Sequence, residues 1–435
     1  MAEKSQGAAV SGGPRPPNAR TIAAKVVERV LVDAAYVSAA LDAELRRHPQ
    51  LDPRERALAT ELCYGTMRAE PALRARLFVH APRGVSDERV LAHLLVAAYQ
   101  VLMLERVPAF AAVDAAVTGV KRERGPRVAG FVNAVLRKLT KTGEKLTPAQ
   151  ALREAVPGWL LEALKESVGE GETEALLLGE GGAGLRLRRG ATPPAWVEGL
   201  PRGSVSPVAR LVRGEGDPRQ KPGFAEGAFT VQEEGAQAVG LALGVRPGDK
   251  VLDACAGRGQ KSTLIAERLG GGNLVASDLY PEKLEALAHE LSRLGLPPVE
   301  TRGIDWSVGH GGLPQDFDRV LVDAPCSGTG TLRRRPEILR RLKPEDPARL
   351  AALSESILRS AASRARPGGV VVFAVCSVLR AECEDVVSRL ADLLEPAPFD
   401  APELPSELVA GKTAVRLLPG AHGTDGYFMA SFRRR

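Results

Sequence analysis

Two cysteines stand where the chain could use them for nucleophilic chemistry. Cys326 follows the run Asp318-Arg319-Val320-Leu321-Val322-Asp323-Ala324-Pro325, and Cys376 closes a second apolar run over 370–375. Each run has the Val-rich character of a strand buried in a parallel sheet, and each breaks into residues that favour loops. A thiol among apolar strand residues is commonly no more than a small buried hydrophobe. Two thiols delivered to two strand ends fit another use. A thiolate attacks an electron-poor carbon to form a covalent intermediate, and a second nearby group helps to release the product. Pyrimidine C6 is such a carbon, because thiolate addition there makes C5 nucleophilic enough to accept a methyl group.

A ligand bay accompanies the thiols. The segment 251–262 reads as a strand, a Gly-containing turn and a helix start, with Cys255, Ala256, Gly257, Arg258, Gly259, Gln260 and Lys261 at its bend. Glycines let backbone approach a ligand, and free N–H groups at a helix start bind polar or anionic groups. Ser262 stands where a dinucleotide fingerprint requires its third glycine, which counts against a dehydrogenase. Acidic residues then close three successive strands: Asp278, Asp305 and Asp323. A carboxylate after the second strand can accept both hydroxyls of a ribose, and one further along can meet an adenine amine. Any one of them alone could be a turn or cap residue; three in register weaken that explanation.

These side chains need a scaffold that brings strand ends together. From 247 onward the pattern alternates: strands at 250–256, 274–279, 298–305, 318–325 and 369–376, and helices at 262–269, 281–294 and 347–364. The alternation predicts a parallel sheet covered on both faces, with its ligand at the carboxyl ends of the strands. Segments 414–417 and 427–432 predict a hairpin that completes the sheet. Upstream, Ile22, Val26, Val27, Val30 and Leu31 begin a series of helical repeats that continues at 57–67, 90–104, 113–123 and 127–140. Pro53, Pro71, Pro82, Pro108 and Pro126 punctuate that series, and no alternating strand interrupts it. Its many Arg and Lys residues fit either a solvated surface or a phosphate-contacting face. Between these regions a Gly- and Pro-rich stretch carries Leu185-Arg186-Leu187-Arg188, read as a basic strand that faces RNA or protects an edge by charge. The expected division is a disordered start at 1–18, a helical domain at 19–142, an α+β connector at 143–226 and an α/β domain at 227–435.

Composition narrows the classes. Lys plus Arg number 59 against 53 Asp plus Glu, a formal +6 that permits a polyanionic partner without requiring one. Five cysteines with no CxxC pair argue against a zinc site or a disulfide framework and fit a reducing cytosol. No apolar run approaches the roughly 20 residues of a membrane span, and 1–18 lacks the apolar core of a secretory signal. The expectation is a soluble cytoplasmic protein with no metal, no membrane partner and no DNA partner.

Longer motifs carry a family resemblance. Asp323-Ala324-Pro325-Cys326-Ser327-Gly328-Thr329-Gly330, followed by Arg333-Arg334-Arg335-Pro336-Glu337, and the later Val375-Cys376-Ser377-Val378, resemble the two cysteine motifs of the NOL1/NOP2/Sun family of RNA cytosine 5-methyltransferases. Residues 224–237 and the closing Asp425-Gly426-Tyr427-Phe428 also fit, so the match spans 223–435. Residues 130–139, with Asp52-Pro53-Arg54-Glu55-Arg56-Ala57, resemble the RNA-binding helical domain of the antitermination factor NusB. In this order the two resemble the bacterial 16S rRNA branch of the family.

The resemblance implies a multidomain chain: an all-α NusB-like domain, a small α+β connector and an α/β Rossmann-like class I methyltransferase domain. It implies S-adenosylmethionine as cofactor, held by residues 255–261 with Asp278, Asp305 and Asp323, and 16S ribosomal RNA or the unassembled small subunit as partner. It also implies the cysteine roles: Cys376 as the nucleophile and Cys326 in product release. Spacing alone could not assign them, because DNA cytosine methyltransferases use a Pro-Cys cysteine as nucleophile. The sequence departs from the family at Gly257-Arg258-Gly259-Gln260-Lys261, where Ala-Pro-Gly-Gly-Lys is usual. Cys63 and Cys383 carry no expected chemistry. The competing readings are a dehydrogenase on a similar sheet, an RNA-binding or assembly factor that has lost catalysis, and a methyltransferase acting on another RNA such as tRNA.

Overall fold

The computed structural model describes residues 17–179, 183–212, 216–271 and 273–435. The expected disordered start falls outside them, apart from residues 17 and 18. The chain divides into two compact units, Met1–Ala155 and Val156–Arg435.

In the first unit, α1 (Ala19–Val32), α2 (Val37–Arg47), α3 (Pro53–His80), α4 (Glu88–Met103), α5 (Ala109–Arg124), α6 (Pro126–Lys141) and α7 (Pro148–Ala155) follow one another. Polar caps set the starts. Asn18 and Thr21 form a reciprocal capping box on α1, and Asp52 accepts from the Glu55 N–H at 2.9 Å to start α3. Every residue of α4 from Val90 to Leu102 is buried, as a helix at the centre of a bundle requires. Two features differ from expectation. Pro71 lies inside α3 instead of ending it; the proline removes one backbone bond, and packing against α1, α4 and α7 keeps the helix continuous. The unit also runs beyond 142. Leu146 N–H donates to the Leu102 carbonyl at 2.9 Å and the Lys145 ammonium to the Val101 carbonyl at 2.7 Å, so the following α7 packs back on α3.

The second unit starts with α8 (Gly158–Val168) and α9 (Glu170–Leu178) and then forms a small antiparallel sheet. Its order is β2 (Ala209–Val212), β1 (Ala183–Leu187), β3 (Phe229–Val231). The basic strand is therefore central, neither an edge nor a face open to RNA. Arg186 is 1% exposed and donates to Thr263 Oγ1 at 2.9 Å, while Arg188 donates to the Gly227 carbonyl. Burial pushes the Arg186 guanidinium down to about 10.

The large sheet comprises β4 (Val251–Asp253), β5 (Leu274–Asp278), β6 (Glu300–Gly303), β7 (Phe317–Asp323), β8 (Ala365–Val375), β9 (Leu394–Pro396), β10 (Ala414–Leu417) and β11 (Tyr427–Arg434). Its order is β10-β11-β8-β7-β4-β5-β6, with β9 also paired to β11. Strands β4 to β8 pair in parallel, and β11 runs antiparallel to β8 and β10. Alternate residues serve opposite cores. Val251, Leu321 and Val372 pack with the helices Gln260–Leu269 and Pro281–Arg293, whereas Leu252, Val320, Val322 and Phe373 pack with the helix Asp346–Ala362. The strand order reverses between β4 and β7, and the crevice at such a switch point opens at the carboxyl ends. Among the described residues no helix is long and apolar enough to cross a membrane.

Among the described residues, Nε and Nη1 of Arg186 have no hydrogen-bond partner. Thr263 keeps a second bond to the Gln260 carbonyl, and Glu267 and Glu290 pair with Arg268 and Arg293. Arg186→Met should therefore leave stability within about 1 kcal/mol of wild type or raise it. Arg186→Ala, which leaves a cavity, should lower it by about 2–5 kcal/mol. Denaturant melts of the full chain check both.

Candidate active site

The two thiols meet because β7 and β8 are neighbours in register. Asp323 pairs with Ala374, and the Ala324 N–H donates to the Ala374 carbonyl at 2.9 Å, so the residues after each strand start at the same level. Cys326 Sγ and Cys376 Sγ lie 3.4 Å apart, both partly exposed. The loop after Cys326 is fastened to the rim. Gly330 N–H donates to the Cys376 carbonyl at 3.0 Å and its own carbonyl accepts from Gly426 N–H at 2.8 Å. A Cβ on Gly330 would lie 2.0 Å from the Gly426 carbonyl oxygen, so only glycine permits this approach.

The pair is electrostatically unequal. The hydrogen bond from Cys326 lowers Cys376 below an ordinary thiol; burial and Asp323 oppose this, and the cations Arg335 and Lys261 reinforce it. Cys326 is pushed well up by the same bond, by burial and by the Glu382 carboxylate. Of the two thiols, Cys376 is therefore the one that gives up its proton more readily. Lys261 reinforces this inequality. Burial works to discharge its ammonium, but Asp323 at 2.6 Å more than offsets that and holds it above an ordinary lysine.

The Gly-containing bend wraps the ends of β4 and β5. Ala256 N–H donates to the Ser277 carbonyl at 2.8 Å and Gly257 N–H to Asp278 Oδ2 at 2.9 Å. Asp278 Oδ1 accepts from Tyr280 N–H at 3.0 Å and Lys283 Nζ at 3.1 Å. Gln260 reaches away from the bay to the Val231 carbonyl, and Arg258 is exposed. Cys255 lies among carboxylates: burial, then Asp253, Asp323 and Asp278, push its thiol well up. Asp253 accepts from Ser262 Oγ at 2.7 Å through one oxygen; the other, Oδ1, is buried with no partner among the described residues. Asp305 stands apart from this cluster. It is exposed and accepts from Ser307, although Ile304 beside it bonds to the Asp278 carbonyl and so keeps Asp305 on the same rim.

Three groupings were not foreseen from the sequence. Glu382, fully buried, accepts from Ser327 and Ser377 next to the two cysteines. Asp425, also fully buried, accepts from Arg333 at 2.7 Å and Arg334 at 2.6 Å, while its N–H donates to Glu233 at 2.8 Å, tying the loop after Cys326 to the chain before β11. In the helical unit, a cavity of about 960 Å³ is lined by Arg20, Arg122, Arg137 and Lys141, with Phe110 exposed over 76% of its surface. Only the excess of basic residues hinted at the last. Of the cysteines set aside, burial pushes the thiols of Cys63 and Cys383 upward.

Comparison with known proteins places this site in context. Residues 240–433 match the model of the 16S rRNA methyltransferase RsmB/F family, and residues 17–141 match that of the NusB family. The chain is 36% identical to the putative methyltransferase Rv1407 of Mycobacterium tuberculosis, covering 96% of both chains. It is 33% identical to the ribosomal RNA small subunit methyltransferase B of Vibrio cholerae, over 95% of this chain and 96% of that protein. The crystal structure of PH0851 shares the fold at 22% identity, with a TM-score of 0.82 over 95% of this chain and 98% of the other.

Burial raises the Asp253 carboxyl from 3.8 to about 7. Between those values the folded chain holds a proton that the unfolded chain has lost, so Asp253 makes stability fall as pH rises through the window. Asp253→Asn should accordingly gain over wild type in denaturant melts as pH moves from about 5 to about 8. A gain that stays constant across that range would contradict the assignment.

Proposed function

The chain belongs to the RsmB/F family of S-adenosylmethionine-dependent 16S rRNA methyltransferases, and from this we propose that it methylates C5 of a cytosine in 16S ribosomal RNA. The observation that carries the reading is the sulfur pair at 3.4 Å, with cations disposed toward Cys376 and a carboxylate toward Cys326. Cys376 is the nucleophile. Its thiolate adds to C6, the S–C6 bond forms, and the C5–C6 double-bond electrons move toward C5. When bound, S-adenosylmethionine supplies an electrophilic methyl group. With the methyl group bonded to C5, the C5 proton passes to solvent, the C–H electron pair re-forms the C5–C6 double bond, and the C6–S bond breaks to return the Cys376 thiolate. Cys326, beside that sulfur, assists this release.

The residues fit the methyl donor. Asp278 has acceptor capacity beyond its three bonds, Asp253 has an unpartnered buried oxygen, and the bay is otherwise lined by carboxylates suited to hydroxyl and amine donors. Residues 255–261, Asp278, Asp305 and Asp323 would hold it. Lys261 stays charged through Asp323 and keeps the Cys376 side of the site positive. Tyr427, its ring 5.8 Å from the Lys261 ammonium, closes the site from β11.

RNA is the substrate class of the family, and names such as ribosomal RNA small subunit methyltransferase B support the small-subunit RNA as the particular target. In the helical unit the cavity with Arg20, Arg122, Arg137 and Lys141 is suited to a phosphate backbone, and the exposed Phe110 to an unpaired base.

Cys376→Ala should abolish methylation of 16S RNA read by bisulfite sequencing. Cys326→Ala should accumulate a covalent protein–RNA adduct seen as a shifted band after denaturation; full turnover by Cys376→Ala would defeat the nucleophile assignment. In a separate binding measurement, joint replacement of Arg122 and Arg137 by Ala should weaken RNA affinity. The slope of log affinity against log salt should fall by about 0.7 for each phosphate that these arginines no longer neutralise. An unchanged slope would mean that these charges are a solvated surface.

A further inference from the structure

Each active cysteine is followed by a serine, and one buried carboxylate binds both. Glu382 lies in a short 3₁₀ turn, Arg380–Glu382, six residues beyond Cys376, and is fully buried. Its Oε1 accepts from the Ser327 N–H at 2.7 Å, and its Oε2 accepts from the hydroxyls of Ser327 and Ser377, the latter at 2.6 Å. Ser377 Oγ also accepts from the Leu379 N–H at 3.1 Å and lies 3.0 Å from Thr329 Oγ1, which accepts from the Val378 N–H at 3.2 Å. Ser377 and Thr329 are fully buried, Ser327 nearly so. The loop of Cys326 and the loop of Cys376 are thus joined through one acceptor.

A buried carboxylate carries a desolvation penalty that an apolar contact between the loops would avoid. Burial accordingly raises Glu382 above an ordinary glutamate. What the carboxylate adds is geometry: all three of its donors come from the two residues covalently next to the reacting cysteines. Parallel pairing of β7 and β8 sets the height of the two loops but not the direction of side chains beyond the last paired residues, Asp323 and Ala374.

We propose that Glu382 is a positioning residue for the two-thiol reaction, binding Ser327 and Ser377 together and so holding Cys326 and Cys376 aimed at one base. The proposal rests on the cytosine-methylation reading for its purpose, but its geometry can be tested without RNA or methyl donor. Glu382→Gln conserves the clamp, because its carbonyl oxygen can accept from the Ser327 N–H and its amide can donate to both hydroxyls. Glu382→Ala removes it. In the full chain, iodoacetamide labelling resolved peptide by peptide should favour Cys376 over Cys326 in wild type and, somewhat less because the charge that raises Cys326 is gone, in Glu382→Gln. In Glu382→Ala that preference should fall by about tenfold, and single-turnover methyl transfer by on the order of 10²-fold, with RNA affinity nearly unchanged. Rescue by Glu382→Gln separates positioning from general stability. If Glu382→Ala does not fold, Ser377→Ala, which cuts one arm of the clamp, should show the same loss of labelling preference. A folded Glu382→Ala or Ser377→Ala with wild-type preference and transfer rate overturns the proposal, as does a Glu382→Gln variant as impaired as Glu382→Ala. Absence of any preference in wild type would instead count against the assignment of Cys376 as the nucleophile.

Discussion

The active rim depends on the parallel pairing of β7 with β8. Backbone bonds between these strands fix Asp323 opposite Ala374, so Cys326, three residues past the first, and Cys376, two past the second, emerge at one rim with their sulfurs 3.4 Å apart. Both strands are buried on both faces, Val320, Val322, Val371 and Phe373 in one core and Leu321 and Val372 in the other. A register slip by one residue would exchange these faces for whole strands, at a free-energy cost no local rearrangement could offset. Core packing therefore secures the common level from which the two cysteine loops start.

On that frame the site separates charge over a short distance. Lys261 reaches from the helix after β4 to Asp323 at the end of β7, which places an ammonium beside Cys376 without leaving it unpaired. Arg333 and Arg334, which follow the Cys326 motif, are held by Asp425. Arg335, exposed, acts on Cys376 from the same tripeptide. One acidic anchor thus holds two of three consecutive arginines. In water such an arrangement would have little effect, but in a partly desolvated pocket it helps to set the two thiols apart in acidity.

Much of this was legible because buried parallel strands and their acidic ends have simple periodic signatures. The five parallel strands, the closing antiparallel pair, both thiols and the carboxylates Asp278 and Asp323 follow from period and punctuation. What escaped depends on contacts between segments distant in sequence. Arg186 looks like a surface cation until β2 and β3 enclose its strand from both sides. Pro71 looks like a helix end until three other helices hold α3 straight. Glu382 is one glutamate among many until its turn folds back on Ser327, 55 residues away. Asp305 shows the opposite limit, since position at a strand end did not by itself bring its side chain into the carboxylate cluster.

The bend at Gly257-Arg258-Gly259-Gln260-Lys261, which departs from the usual Ala-Pro-Gly-Gly-Lys, is constrained by other means than a proline ring. Gly259 has φ +84°, and a Cβ there would lie 2.3 Å from Leu287, so the glycine is required both by its torsion and by the packing of the helix Pro281–Arg293. Its N–H donates to the Ala256 carbonyl at 2.9 Å and its carbonyl accepts from Thr263 N–H at 2.8 Å, closing the turn onto the helix. Gly257 is held from the opposite side by Asp278. A chain restrained at both ends by a carboxylate and a helix start has little remaining entropy for a proline to remove, because proline acts mainly by limiting the freedom that folding must otherwise overcome. The substitution changes how the bend is stiffened while preserving Lys261, whose ammonium links the bay to the thiols.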